Sequence, residues 1–166
     1  IAEGHARRLK YKSAVMTISC GDDVSDSFKK VGIPYSANAG MHYDSPSTNF
    51  VDLLDYLGFN IKVRAPQKAI PQRLLSCSKK IIAAILRGMY DGDGHARTKR
   101  PIVGYTTTSP VLAKQVRVLL NNFGIITTQT IRTKDKANAY IKKRQAAGKH
   151  VKVKRHNHDT YIVEIA

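Results

Sequence analysis

The feature that most constrains this chain is an internal repeat with a spacing of 90 residues (93 − 3). Glu3-Gly4-His5-Ala6-Arg7 recurs as Asp93-Gly94-His95-Ala96-Arg97, with one acidic residue exchanged for another. The gap-free comparison extends to Ser19 and Ser109, which both lie 16 residues after the first acid (19 − 3 and 109 − 93). A segment that recurs in this way is one structural unit used twice, so we expect two similar halves.

Each copy predicts a β-hairpin directly after its acid. The runs AVMTIS at 14–19 and IVGYTTTS at 102–109 are rich in β-branched residues, which favours strands. A short basic stretch precedes each run, and the hairpin turns are expected near 9–12 and 98–101.

A helix is predicted after each hairpin. Asp22 or Asp23 can cap the first helix, and Ser109 can cap the second, with proline at its first position. Both helices are expected to end at a Gly-Ile pair, Gly32-Ile33 and Gly124-Ile125, because glycine readily adopts the left-handed conformation found after helices.

The most strongly helical segment, Lys79 to Tyr90, runs directly into Asp91-Gly92-Asp93-Gly94. Carboxylates at the C-terminal end of a helix face the negative end of its dipole, which costs about 0.3–1 kcal/mol each. A divalent cation would remove that cost. Taken alone, the segment is also compatible with an ordinary polar Asp-Gly turn. A calcium EF-hand loop fits poorly, because Ala96 and Ile102 stand where glycine and glutamate are required.

The charge balance indicates a polyanionic partner. Lysine and arginine total 28 against 12 acidic residues, which gives a net charge of +16 and a pI near 10.0. No apolar run approaches the roughly 20 residues of a spanning helix, so nucleic acid is favoured over a membrane. Cys20 and Cys77 are far apart and suggest neither a disulfide framework nor a zinc site. The absence of a signal peptide at residue 1 predicts an intracellular protein.

Three segments carry a resemblance to a known family. LRGMYDGDG at 86–94 resembles the LAGLIDADG dodecapeptide, and Ile1-Ala2-Glu3-Gly4 resembles the end of a first such motif. Lys68-Ala69-Ile70-Pro71 resembles the K-x-I-P element that commonly precedes the second motif in intein-embedded endonuclease domains. With the repeat, the resemblance covers nearly the whole chain, which is similar to the two-motif, monomeric LAGLIDADG homing endonucleases.

The resemblance implies an α+β fold made of a pseudo-twofold pair of αββαββα units. The motif helices would form the central interface, and two antiparallel sheets would form a saddle on DNA. We expect the first repeat at 1–75 and the second at 76–166, including a motif helix at 78–92, within one endonuclease domain. Ala84 and Gly88, small residues one turn apart, would let the two motif helices approach closely.

The resemblance also implies a reaction. Glu3 and Asp93, the final acids of the two motifs, would hold divalent metal, usually Mg²⁺ or alternatively Mn²⁺, beside the scissile phosphates. Lys68 resembles the family's basic residue that orders solvent and stabilises phosphate charge. The implied function is site-specific double-strand cleavage of DNA at a long asymmetric target by a monomer. The alternative is a non-catalytic DNA- or RNA-binding module, such as a maturase or a regulator, although an acid in both copies favours the enzyme.

Residues for DNA contact follow from strand alternation and from the clustering of charge. Alternation would direct His5 and Arg7, or His95 and Arg97, to one face of a sheet. The basic residues near the hairpin tips are Lys10, Lys12, Lys99 and Arg100. The segment 132–155, which begins with Arg132 and Lys134, contains ten lysine and arginine residues and one acid. We expect it to be a solvated or partly disordered loop, with phosphate contact as its possible function.

Overall fold

The structure is a computed structural model that describes residues 4–8, 14–19, 25–38, 42–60, 62–98, 101–151 and 155–165. The chain forms two compact units. The N-terminal unit comprises 1–64 and 68–93, and the C-terminal unit comprises 65–67 and 94–166. The motif helix is thus grouped with the N-terminal unit. The repeat limits expected from the sequence, 1–75 and 76–166, stay a prediction.

The N-terminal unit contains a four-stranded antiparallel sheet with the order β1-β2-β4-β3. Its core combines sheet and helix residues, because Met16 and Tyr43 are buried together with Phe28 and Val51. The rings of Phe28 and Tyr35 stack with their centroids 5.3 Å apart. The elements in chain order are β1 (Gly4–Arg8), β2 (Ala14–Ser19), α1 (Ser25–Lys30), β3 (Ser36–Asn38), β4 (His42–Ser45), α2 (Thr48–Tyr56), α3 (Gln72–Leu75) and α4 (Lys79–Asp93).

The C-terminal unit repeats this arrangement with the strand order β5-β6-β8-β7. Its α5 packs against one face of the sheet, where the paired residues Tyr105 and Val163 are fully buried. The elements are β5 (Gly94–Arg97), β6 (Ile102–Thr107), α5 (Pro110–Asn121), β7 (Thr127–Arg132), α6 (Lys134–Ala146) and β8 (Thr160–Ile165), and a short 3₁₀ turn at Ala65–Gln67 is grouped with them. The α+β class and the two-copy architecture are confirmed.

The local stop and start signals of the helices are confirmed where they are described. The Ser109 hydroxyl accepts a hydrogen bond from the Leu112 amide at 3.1 Å, with proline at the first helical position. Gly32 and Gly124 have φ values of 67° and 76°. In both cases the following isoleucine amide bonds back to a carbonyl of the last helical turn. Asp22 and Asp23 lie outside the described residues.

The two hairpins differ in register, which the gap-free repeat did not predict. His5 pairs with Thr17, whereas His95 pairs with Gly104, so the second hairpin is three residues shorter (17 − 5 against 104 − 95). Because side chains alternate along a strand, an odd shift moves every residue to the other face of the sheet. Thr17 and Thr107, which match in the gap-free comparison, therefore occupy opposite faces of their sheets.

The loop expected over 132–155 is wrong for its first half, which forms α6. Thr133 caps this helix, since its hydroxyl accepts a bond from the Lys136 amide at 3.4 Å. Ala137 and Ile141, one turn apart, are both buried. Asn138 and the backbone of His156 exchange two hydrogen bonds of 3.0 and 2.7 Å. Two apolar residues at helical spacing and one double hydrogen bond thus order a segment whose composition alone suggested a loop.

No helix within the described ranges is long and apolar enough to cross a membrane.

We predict that Gly124→Ala lowers the free energy of unfolding by about 1 kcal/mol, because an L side chain is strained at a positive φ. Crowding does not contribute, since no atom among the described residues lies within 4 Å of a Cβ built there. Gly124→Asn is the control, because asparagine tolerates this conformation better. Urea denaturation midpoints measure both losses, and equal losses for the two variants would contradict the prediction.

Candidate functional site

The predicted motif helix is confirmed: α4 spans Lys79–Asp93 and ends on the last acid of the motif. Its buried side carries Ile82, Leu86 and Met89 at helical spacing. Burial raises the pKa of the Tyr90 hydroxyl above its ordinary value of 10.0, so this group stays neutral near the acids. Gly94 begins β5 directly, with no loop between helix and strand.

The two acids at the end of α4 have different surroundings. Asp91 is exposed and lies 3.6 Å from the Arg87 guanidinium, one turn earlier in the helix. That arginine supplies the cation that a carboxylate at a helix C-terminus requires. Asp93 is partly buried at the helix-strand junction. Asp93 is therefore the less exposed of the two acids, and Asp91 forms an ion pair with Arg87 on the surface.

The small residues of α4 are on its exposed side. Ala84 and Gly88 are both exposed, and a Cβ built on Gly88 would meet no atom within 4 Å in the part of the chain that the structure describes. Ile81, on the same side, is 47% exposed. The predicted helix interface at Ala84 and Gly88 stays a prediction.

Lys68 belongs to a segment that is anchored by its neighbours. It is partly buried and is followed by buried Ile70, which is 2% exposed, and buried Pro71. A Cβ built on Gly58, at the end of α2, would lie 3.3 Å from the Cβ of Pro71. The K-x-I-P element is therefore packed against α2 at its proline end.

The C-terminal sheet has an outer face that points away from α5. Alternation places His95 and Arg97 on this face, because Tyr105 and Val163 occupy the other one. The expectation that these two side chains share a sheet face is thus in agreement with the register. The cross-strand row that contains His95 continues through Gly104, Glu164 and Thr128.

The corresponding row of the N-terminal sheet contains His5, Thr17, Asp44 and Ser36. Thr17 follows the buried residue Met16, and neighbouring side chains of a strand point to opposite faces, so this row lies on the face opposite the core. The Thr17 hydroxyl donates to the Asp44 carboxylate at 2.6 Å. Position 7 pairs with 15 in the same phase, but the side chains at 5 and 7 lie outside the described part.

The remaining predicted residues are scattered or not described. Arg132 ends β7 and Lys134 begins α6, and both are exposed. No group of three or more His, Cys, Asp or Glu side chains suited to a metal ion occurs among the residues described. Five predicted residues, Glu3, Lys10, Lys12, Lys99 and Arg100, lie outside them.

Sequence reasoning missed Glu164 and Gly104 on the outer face of the C-terminal sheet. Arg97 Nη2 lies 2.5 Å from Glu164 Oε1, an ion pair between residues 67 positions apart (164 − 97). No local signal could have found it, because β8 joins the sheet only after α6. Gly104 could have been identified as the partner of His95 only if the register between β5 and β6 had been known.

Comparison with known proteins identifies related sequences. A family model described as a LAGLIDADG-like domain matches residues 80–163, which is 84 of 166 residues. The replicative DNA helicase DnaB of Synechocystis sp. is 31% identical over 101 residues, 58% of this chain. The RNA polymerase subunit Rpo1C of Methanocaldococcus jannaschii is 27% identical over 94 residues, 57% of this chain. The matched region spans only 11% of the length of each of these relatives.

Solved structures share the fold. A crystal structure of I-DmoI in complex with DNA and Mn has a TM-score of 0.58 at 12% identity and covers 99% of this chain and 83% of the I-DmoI chain. A structure of mesophilic variants of the homing endonuclease I-DmoI has a TM-score of 0.60 with the same identity and coverage. At this identity the likeness concerns the fold alone.

The family match covers more than half of the chain, and the fold match covers nearly all of it. The chain belongs to the family of LAGLIDADG-like domains.

Proposed function

We propose that this chain is a site-specific DNA endonuclease domain that cleaves both strands with divalent metal held by one acid from each repeat, Glu3 and Asp93. The supporting observation is the position of Asp93. It is the last residue of α4, where a carboxylate opposes the helix dipole, and it directly precedes the strand that carries His95 and Arg97 on its outer face. An acid at that junction destabilises the helix, so its presence is better explained by a role in catalysis.

The donor chemistry at this junction fits Mg²⁺ or Mn²⁺. Mg²⁺ takes hard oxygen ligands and is commonly held by one or two carboxylates together with substrate phosphate oxygens. Asp93 offers one such carboxylate, while the share of Glu3 rests on the repeat and the family resemblance. The bound ion would activate water and neutralise charge at the phosphodiester. Structures of I-DmoI with DNA and Mn, and of an I-DmoI variant in the presence of Mg, support this choice of metal.

The chain's own residues would orient the substrate. Lys68, in the segment anchored by Ile70 and Pro71, would place an ammonium group to offset charge on the phosphate. The outer face of the C-terminal sheet would enter the major groove with His95 and Arg97 toward base edges. The net charge of +16 supports a long contact with the phosphate backbone of a long asymmetric target, made by a monomer.

The α6 helix adds a basic surface that has no counterpart between β3 and β4, which are separated by only three residues, 39–41. Lys136 and Lys143 are exposed and lie seven residues, two helical turns, apart (143 − 136) on the side opposite Ala137 and Ile141. The helix leaves the sheet at the end where β5 begins, since Arg132 pairs with Thr160 there. We assign phosphate contacts to this exposed side.

The helicase and the polymerase subunit that match this chain support a domain embedded in a larger protein. A helicase and a polymerase subunit have different named functions, yet each matches this chain over only 11% of its length. A segment shared by such different proteins behaves as a module inserted into them. Together with the K-x-I-P resemblance, this favours an endonuclease domain of the intein-embedded kind.

The alternative is a non-catalytic DNA- or RNA-binding module on the same scaffold. The charge of +16 and the basic side of α6 would serve such a binder equally well. Cleavage, and not affinity, therefore separates the two functions.

We predict Mg²⁺-dependent double-strand cutting when the protein is incubated with a randomised duplex library and the cut ends are sequenced. Asp93→Asn should abolish cutting and leave the Kd for DNA within about threefold, because the amide keeps the shape but loses the charge that binds metal. Asp91→Asn is the matched control and should still cut, since Asp91 pairs with Arg87 on the surface. Undiminished cutting by Asp93→Asn rejects its role, and binding without any cutting by the unaltered protein favours the alternative.

We predict that Lys136→Gln combined with Lys143→Gln weakens binding equally on all DNA sequences. The slope of log K against log salt should fall by about 1.8, since each lost phosphate contact removes about 0.9. The control is Lys29→Gln with Lys30→Gln, two exposed lysines of α1, which packs on the core side of its sheet. An equal change of slope in both double variants would show that α6 makes no particular contact.

A further inference from the structure

We propose that Glu164 is a positioning residue that fixes the Arg97 guanidinium for recognition of a guanine in the major groove, and that Gly104 provides the space for the neighbouring His95 imidazole. The inference rests on the proposed DNA binding and goes beyond it by assigning roles to two residues with no known part in the reaction. It follows from an ion pair, a close approach and a repeated register position.

The ion pair joins the edge strand β5 to the interior strand β8 across the outer face. The Arg97 and Glu164 side chains meet at 2.5 Å across β6, and Glu164 is the more buried partner, 18% exposed against 44% for Arg97. Glu164 is thus held by the sheet while Arg97 remains accessible. A guanidinium has five donors in a planar fork, so one contact with a carboxylate leaves others free for a base.

Gly104 makes the close approach possible. A Cβ built on Gly104 would lie 2.6 Å from two atoms of the His95 ring, so the imidazole lies directly over this glycine. Gly104 is also the residue between His95 and Glu164 in their cross-strand row. Any side chain at 104 would therefore displace the imidazole from its place over this strand.

The same register position carries an acid in the N-terminal sheet. Asp44 pairs with Thr17, which pairs with position 5, just as Glu164 pairs with Gly104, which pairs with position 95. In the first sheet Thr17 donates to the acid. In the second sheet the residue between position 95 and the acid is Gly104, which has no side chain to donate, and Arg97 contacts Glu164 instead.

A carboxylate on a DNA-binding face needs a reason, because it repels phosphate. If affinity were the only requirement, a neutral residue at 164 would be better. A fixed guanidinium plane, however, is what bidentate contact with guanine O6 and N7 demands. Glu164 therefore sacrifices general affinity for selectivity among sequences, and this opposition makes its role measurable.

The test uses the full 166-residue protein, a randomised duplex pool and the sequences it selects from that pool. For Glu164→Gln we expect binding to the unselected pool to become about threefold tighter, because one negative charge is lost. Preference for guanine at one position of the selected site should fall about tenfold. A merely structural role would instead weaken both measurements together.

Two further variants keep the proposal testable if Glu164→Gln is unstable. Arg97→Lys retains the charge but not the planar fork, so it should lose the same guanine preference and keep its affinity for the pool. Asp135→Asn, in the first turn of α6, also removes one negative charge. It should tighten pool binding to a similar degree and leave the preference unchanged.

Three outcomes overturn the inference. Retained guanine preference in both Glu164→Gln and Arg97→Lys would show that the pair does not determine specificity. A switch to a different preferred base in Glu164→Gln alone would show that the carboxylate contacts a base itself. Absence of any sequence preference in the unaltered protein would overturn both this inference and the proposed site-specific function, whereas the first two results would leave that function intact.

Discussion

The junction of α4 and β5 is the constraint on which the rest of the site depends. Asp93 ends the helix and Gly94 begins the strand, so no loop separates the proposed metal ligand from the sheet. A carboxylate at that end costs about 0.3–1 kcal/mol. Burial of Ile82, Leu86 and Met89 along α4 offsets this easily, since a buried aliphatic side chain contributes about 1.5–3 kcal/mol. The helix can therefore carry an unfavourable acid, and β5 begins at the next residue along the chain.

The start of β5 directly after Asp93 extends the constraint to the residues that we propose to face DNA. Because alternation has a period of two, His95 and Arg97 must share a face once Gly94 is fixed. The burial of Tyr105 and Val163 against α5 determines which face remains open. One short β-strand thus carries both residues that we propose to read the DNA sequence, directly after the proposed metal ligand, and a change of its register would move them to the core face.

The parts of this fold that could be predicted from sequence depend on neighbouring residues. Ser109 as a cap, Gly32 and Gly124 as helix stops and the limits of α4 each follow from a few adjacent positions. The three-residue difference between the hairpins could not be predicted, because the sequence on either side of the turn matches without a gap. Nor could α6, which is stabilised in part by two hydrogen bonds between Asn138 and the distant backbone of His156. The Arg97 and Glu164 pair belongs to the same class, since it exists only after β8 has joined the sheet.

An acid within a basic surface also changes in strength when that surface is covered. In water the Arg97 and Glu164 pair is partly solvated, and its contribution to stability is modest. In the proposed complex DNA would cover the face and exclude water, so the local dielectric constant would fall and the attraction between the two charges would increase. The same loss of water raises the cost of any base that fails to satisfy the remaining guanidinium donors. In the proposed complex the attraction within the ion pair is therefore stronger than in the free protein, and a mismatched base would leave a buried donor without an acceptor.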